Sequence, residues 1–244
     1  TETGAATSWG LPIGRPGQTP GDGFFVRVGY ACENAAYYPG WWHTGENWHA
    51  LAGESAGAPV LACAAGEVVF AGYDYPGRVV ILRHGPALFS QYGHLDYALD
   101  VVQGDAVAMG QRLGTVLRRT DDPARSHLHF EIRDFLLRDD VNGAAPRFGV
   151  SCGPNCPPGP GYWPIGAEHP SALGYRNPLH AIARRGPPSE VVVATGAPER
   201  VGVWEAPPAA PDKEPIGDVA LVSGAGFSVL SIAVGSENGT ETGA

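Results

Sequence analysis

The segment Ser126-His127-Leu128-His129-Phe130-Glu131-Ile132-Arg133 places two imidazoles two residues apart in a run that alternates polar and apolar side chains. Successive side chains of a β-strand point to opposite faces. Leu128, Phe130 and Ile132 are therefore predicted to share a core face, and His127, His129, Glu131 and Arg133 the opposite, exposed one. Two imidazoles on one face of a rigid strand suit joint metal binding, or metal binding by one and proton transfer by the other.

Two further histidines lie in suggestive settings upstream: His43 in Trp42-His43-Thr44-Gly45-Glu46-Asn47-Trp48, and His94 in Tyr92-Gly93-His94-Leu95. A catalytic zinc ion takes three protein ligands and keeps a position for water. The metal lowers the pKa of that water, and a nearby base removes its proton as it attacks a carbonyl. His43, Asn47, His94, His127 and His129 are the side-chain types that this chemistry needs. Singly they read more plainly, as a loop histidine among aromatics, a strand histidine and a polar strand face. Their joint occurrence, in order, is what points to a site.

Taken in order, His43-x-x-x-Asn47, Tyr92-Gly93-His94-Leu95 and His127-Leu128-His129-Phe130-Glu131-Ile132 resemble the signature set of the lysostaphin/LytM-type zinc endopeptidases. Those enzymes cut peptide bonds in bacterial cell-wall peptidoglycan and have the duplicated hybrid motif fold. Flanking segments agree: Gly57-Ala58-Pro59-Val60, Gly66-Glu67-Val68-Val69 and Val80-Ile81-Leu82-Arg83-His84-Gly85. The similarity covers roughly residues 40 to 135. It implies an exported endopeptidase with Zn(II) held by His43, the residue at 47 and His129. His94 and His127 would be the non-ligand histidines that activate water and support the oxyanion. One position departs from the pattern, which is His-x-x-x-Asp, because this chain has Asn47. An amide oxygen ligates zinc, but as a neutral and poorer donor. The expectation is a working enzyme with weakened metal affinity, since all four histidines are retained. The alternative is a catalytically degenerate domain that binds cell wall or regulates a hydrolase.

The elements that must position these residues are short strands. Ala58 to Ala62, Glu67 to Gly72, Arg78 to Arg83, Phe89 to Tyr92, Leu113 to Val116 and His127 to Arg133 are strand-like, with Gly, Asp or Pro in the turns and no convincing helix between them. The predicted fold is mainly β, an antiparallel sandwich or barrel-like peptidase domain with long loops. Residues 1–35 read as an extended lead-in that adds one strand around Phe24 to Val28, and 36–185 as the peptidase-like domain. The glycine-marked stretch from Val102 to Gly114 has the look of a β-hairpin. A long loop, 140–175, follows the His-x-His strand and is expected to form a rim of the cleft. Arg184 to Pro188 reads as a linker, and 189–244 as a small β module or extension.

Gly 35 and Pro 23 with only 17% charged residues suit such a turn-rich β protein. The net charge of -9 argues against nucleic acid as a partner, which needs a basic face. The longest apolar run, Val219 to Gly235, is broken by Ser223-Gly224-Ala225-Gly226, so no membrane span is expected. The chain begins at Thr1 without an initiator Met or leader, so any export signal is expected to have been removed or never included. Of the four cysteines, Cys152 and Cys156 read as one local disulfide rather than half of a zinc ribbon, and Cys63 as a core residue. His49 reads as a loop histidine, His84 as structural, and Glu131 as a partner behind the metal ligands or in a salt bridge.

Overall fold

The computed structural model describes residues 6–35, 39–144, 147–149, 153–162 and 166–183, together with four strands between 191 and 232. The strands are β1 (Phe24–Val28), β2 (Glu46–Ala50), β3 (Pro59–Leu61), β4 (Gly66–Asp74), β5 (Gly77–Gly85), β6 (Leu88–Leu95), β7 (Ala106–Val107), β8 (Arg112–Thr115) and β9 (Leu128–Arg133). They are followed by β10 (Arg147–Gly149), β11 (Gly153–Cys156), β12 (Tyr175–Arg176), a short helix α1 (Pro178–Ala183), β13 (Val191–Ala194), β14 (Val201–Trp204), β15 (Val219–Gly224) and β16 (Phe227–Ile232).

One sheet dominates, with strand order β14-β13-β16-β15-β1-β2-β9-β6-β5-β4-β7 and β12 beside β9. Its pairs are antiparallel except β13 with β16. The path does not return on itself, so the fold is mainly β and open rather than a closed barrel. The pair β3–β8 forms a second layer. Val60, Ala62, Leu113 and Val116 of that layer share one buried cluster with Val68, Val80, Leu82, Tyr92, Leu128, Phe130 and Ile132 of the main sheet. Burying side chains of this size is worth about 1.5–3 kcal/mol each, which fixes which face of β9 turns inward.

The lead-in does more than add β1. Trp9 and Ile13 are buried in the same core, and residues 9 and 13 bridge to Ala64 and Val60. Its apolar residues are too widely spaced to register as a strand, yet each fills the space beside β3. The stretch from Val102 to Gly114 is not a hairpin. β7 pairs with β4, and β8 pairs with β3 in the other layer. The turn before β7 instead hands its hydrogen bonds to β4, with the Val68 amide donating to the Asp105 carbonyl and the Gly104 amide to the Val68 carbonyl, both at 2.8 Å.

The polar face of β9 is buried, not exposed: His129, Glu131 and Arg133 have no accessible surface. Residues 159–162 cover it. Arg133 donates to the carbonyl oxygens of Tyr162 (3.3 Å) and Pro160, Gln91 donates to that of Gly161 (3.1 Å), and the Gly161 amide donates to Asp74 Oδ2 (3.1 Å). Alternation says which side chains share a face but not what lies over it. A covering segment that offers carbonyl acceptors lets a polar face leave water.

The 140–175 loop thus carries the cover and has short elements of its own: a turn of π-helix at Asp139–Gly143, the β10–β11 hairpin and a 3-10 turn at Pro170–Leu173. Cys156 is disulfide-bonded. Cys152, its expected partner, lies outside the described residues, as does the expected linker, 184–188. No helix among the described residues is long and apolar enough to cross a membrane.

Candidate metal and catalytic centre

Register brings the centre together. In the β2–β9 pair Asn47 lies directly opposite His129, and in the β6–β9 pair Gly93 does. Gly45 enters β2 so close to β9 that a Cβ on it would sit 2.2 Å from the Phe130 carbonyl oxygen. His43 is held from the other side by the lead-in: its amide donates to the Cys32 carbonyl and the Ala31 amide to its own, both at 2.8 Å.

These constraints converge three donors. His43 Nε2 lies 3.2 Å from His129 Nδ1, and Asn47 Oδ1 lies 3.0 Å from the same nitrogen. The far side of each ring is already engaged. His43 Nδ1 is 3.0 Å from the Gly29 carbonyl oxygen, and His129 Nε2 is 2.9 Å from Glu131 Oε1. Both outer partners are acceptors, so in the tautomer that satisfies them each ring places its proton outward and turns a lone pair toward the other. Burial, reinforced by His129, holds the His43 pKa down from 6.5 to about 3. The ring is neutral at pH 7, as a ligand must be.

Edges of about 3.3 Å separate ligand atoms in a tetrahedral zinc site with bonds of about 2.0–2.1 Å. The two separations are close to that value, and the donors are two imidazole nitrogens and a carbonyl-type oxygen, a set that zinc accepts. Among the described residues no group of three or more His, Cys, Asp and Glu side chains forms a metal cage. The candidate centre is instead two imidazoles and an amide, and the residues present fit the ion.

His94 and His127 stand beside this group. Their ring centroids are 4.6 Å apart, and that of His94 is 6.4 Å from that of His129. His94 has φ of +62°, a left-handed backbone uncommon for a side chain with a Cβ, at an irregularity where β6 slips past β5. Its amide donates to the Pro76 carbonyl oxygen (3.0 Å), and its own carbonyl accepts from the Leu117 amide (2.9 Å). His127 directly precedes β9, and its Nδ1 lies 2.7 Å from the Arg125 carbonyl oxygen, which leaves Nε2 as the proton acceptor. Burial lowers the pKa of His127 to about 3, with added repulsion from His49, His129 and Arg119, and drives that of His94 well down for the same leading reason. An open depression of ≈ 290 Å³ runs out from these two rings past Tyr97, Leu117 and Arg119.

His49 is not in a loop. It lies in β2, two residues beyond Asn47, and stacks on His127 with centroids 5.0 Å apart and planes 19° apart. It takes no place among the three donors. Sequence reading also passed over the Gly29 carbonyl and Thr44, whose hydroxyl donates to Glu131 Oε1 at 2.6 Å. A backbone acceptor leaves no mark in a sequence, whereas Thr44 sits beside His43 and was open to notice. Trp48 points away from the centre into the core, and His84 is buried and bonded to the Ala65 carbonyl oxygen and Ser90 Oγ.

Residues 43–143 match peptidase family M23, a span that starts at His43 and includes all five residues above. Over 81 residues the chain is 37% identical to lipoprotein NlpD of Yersinia enterocolitica, across 32% of this chain and 80% of that protein. The chain belongs to peptidase family M23. The M23 chain is also 37% identical over 79 residues to cell division protein DipM of Caulobacter vibrioides, across 32% of this chain and 13% of DipM. It spans 19% of an uncharacterized Haemophilus influenzae protein and 26% of the NlpD/LppB homologue of Pseudomonas aeruginosa. Among solved structures, the catalytic domain of lysostaphin from Staphylococcus simulans is similar at 20% identity with a TM-score of 0.40, over 63% of this chain and 88% of that one.

Proposed function

We propose that this M23 domain is a zinc-dependent endopeptidase that cleaves peptide bonds of bacterial cell-wall peptidoglycan from an exported or envelope location. The observation that carries this reading is the pair of facing lone pairs, His43 Nε2 and His129 Nδ1, 3.2 Å apart with an amide oxygen beside them. Such an arrangement is repulsive unless a cation or an N–H donor lies between the two nitrogens, and a zinc ion fits the donor set. His43, Asn47 and His129 would hold the ion. When bound, zinc polarises a carbonyl and lowers the pKa of a water molecule. His127, neutral and with Nδ1 committed to Arg125, takes a proton at Nε2. His94, fixed at the edge of the His127 ring, steadies charge that develops on the substrate oxygen. The names of the relatives, a lipoprotein and a cell division protein, agree with an envelope setting.

The test pairs metal content with turbidity loss of purified cell wall. Wild type is expected to carry one zinc and clear the wall, and His127→Ala to keep the zinc and lose the clearing. No metal and no clearing at any zinc concentration refutes the reading.

Asn47 itself favours a second reading, a non-catalytic module on the same fold. An amide can turn its NH2 toward the two lone pairs and satisfy them without a metal, which a carboxylate cannot do. An inert wild type together with an Asn47→Asp variant that hydrolyses wall would establish that reading.

A further inference from the structure

We propose that Glu131 is a positioning residue that supplies, from behind His129, the negative charge that the ligand set His43, Asn47 and His129 lacks. This rests on the zinc reading above. Glu131 lies two residues beyond His129 on the same face of β9, and neither side chain has accessible surface. Its Oε1 is 2.9 Å from His129 Nε2 and accepts from Thr44 Oγ1 at 2.6 Å, so the carboxylate is locked against the outer edge of the ligand ring. Its Oε2 has no hydrogen-bond partner.

The cation that balances this charge stands on the far side. Arg133 Nη1 lies 3.8 Å from Glu131 Oε2 and donates to the Tyr162 carbonyl oxygen at 3.3 Å, while Nη2 donates to that of Pro160. Along β9 the order is imidazole, carboxylate, guanidinium, so the negative end of the pair faces the metal side. A carboxylate bonded to the outer nitrogen of a ligating histidine fixes its tautomer and raises its basicity. Where the third ligand is a neutral amide, that contribution is the anionic share of the site.

Zinc affinity, read by competition with a chromophoric chelator, decides the matter without any substrate. Circular dichroism of each variant reports folding. Glu131→Gln is expected to weaken zinc binding by about 10–100-fold. Asn47→Asp combined with Glu131→Gln moves the charge into the ligand set and is expected to restore at least wild-type affinity. Glu131→Gln combined with Arg133→Met removes the cation that the single change would strand, and keeps the loss readable if the single variant unfolds. Zinc binding by a folded Glu131 variant within about threefold of wild type, where outer partners normally cost tenfold or more, overturns the role of Glu131 and leaves the site standing. A charge-swapped variant as weak as Glu131→Gln overturns it too. A wild type that binds no zinc removes the site along with it.

Discussion

His43 and His129, 86 residues apart in sequence, face each other across 3.2 Å, each with its outer nitrogen tied to an acceptor. Asn47 completes the group because β2 and β9 pair in the register that sets it opposite His129. The centre is therefore pre-formed by backbone pairing, and its weak point is charge rather than shape. Asn47→Asp keeps the shape and adds the charge. It is expected to tighten zinc binding by at least about tenfold, read by chelator competition at pH 7. An unchanged affinity would mean that residue 47 does not touch the ion.

The register depends on Gly45. A methyl group there meets the Phe130 carbonyl oxygen at 2.2 Å and Glu131 Cγ at 2.8 Å, and the first is backbone that cannot swing aside. Gly45→Ala must push β2 off β9 at the site itself. The expected cost is about 2–3 kcal/mol in urea denaturation, at the upper end for overpacking, with zinc affinity lost in parallel. A variant as stable as wild type would show that the strands tolerate a wider spacing.

Glu46, on the core side of β2, is fully buried and accepts hydrogen bonds from Trp48 Nε1 (3.1 Å) and the Leu179 amide (3.2 Å). Desolvation raises its pKa from 4.5 to about 8, against which those two bonds pull weakly. The folded protein then binds more protons than the unfolded chain between these values, so Glu46 makes stability fall as pH rises through the window. The buried histidines are lowered in the fold and act below pH 6.5 with the opposite sign. The Glu46 contribution is therefore cleanest from pH 6.5 to 8, where metal-free wild type is expected to lose up to about 1.4 kcal/mol per pH unit. Glu46→Gln forfeits one hydrogen bond but should flatten that slope. Parallel slopes in the two proteins would place the titration elsewhere.

The parts of this architecture that were legible in the sequence are those written in local period. Alternation over residues 128–133 gave the correct core face of β9, and short, turn-bounded strands gave a mainly β fold. The candidate site residues stood in a recognisable order, beside Gly45 and Gly93, where a Cβ would meet the Phe130 carbonyl oxygen or Pro76. Partner choice was not legible. Whether β7 and β8 pair with each other or with β4 and β3 depends on distant register, and local glycines do not record it. Burial of His129, Glu131 and Arg133 was hidden for a related reason: their cover is a segment of carbonyl groups at 159–162, about thirty residues downstream. The stacking of His49 on His127 likewise needs β2 and β9 to be neighbours.

His94 joins backbone strain to a place in the proposed site. Its left-handed φ of +62° costs a residue with a Cβ roughly 1–2 kcal/mol, which glycine would not incur. The conformation turns the ring edge-on to His127, with planes 67° apart, and is held by the backbone bonds to Pro76 and Leu117. Two variants separate the backbone from the ring. His94→Ala loses the imidazole and keeps the strain, whereas His94→Gly loses both. Both are expected to lose about 100-fold or more in wall-clearing rate. His94→Gly should nevertheless be the more stable of the two, by about 1 kcal/mol in urea denaturation, despite the higher entropy of its unfolded chain. If the alanine variant is equally stable, the left-handed turn is not strained, and its persistence must come from the bonds to Pro76 and Leu117 alone.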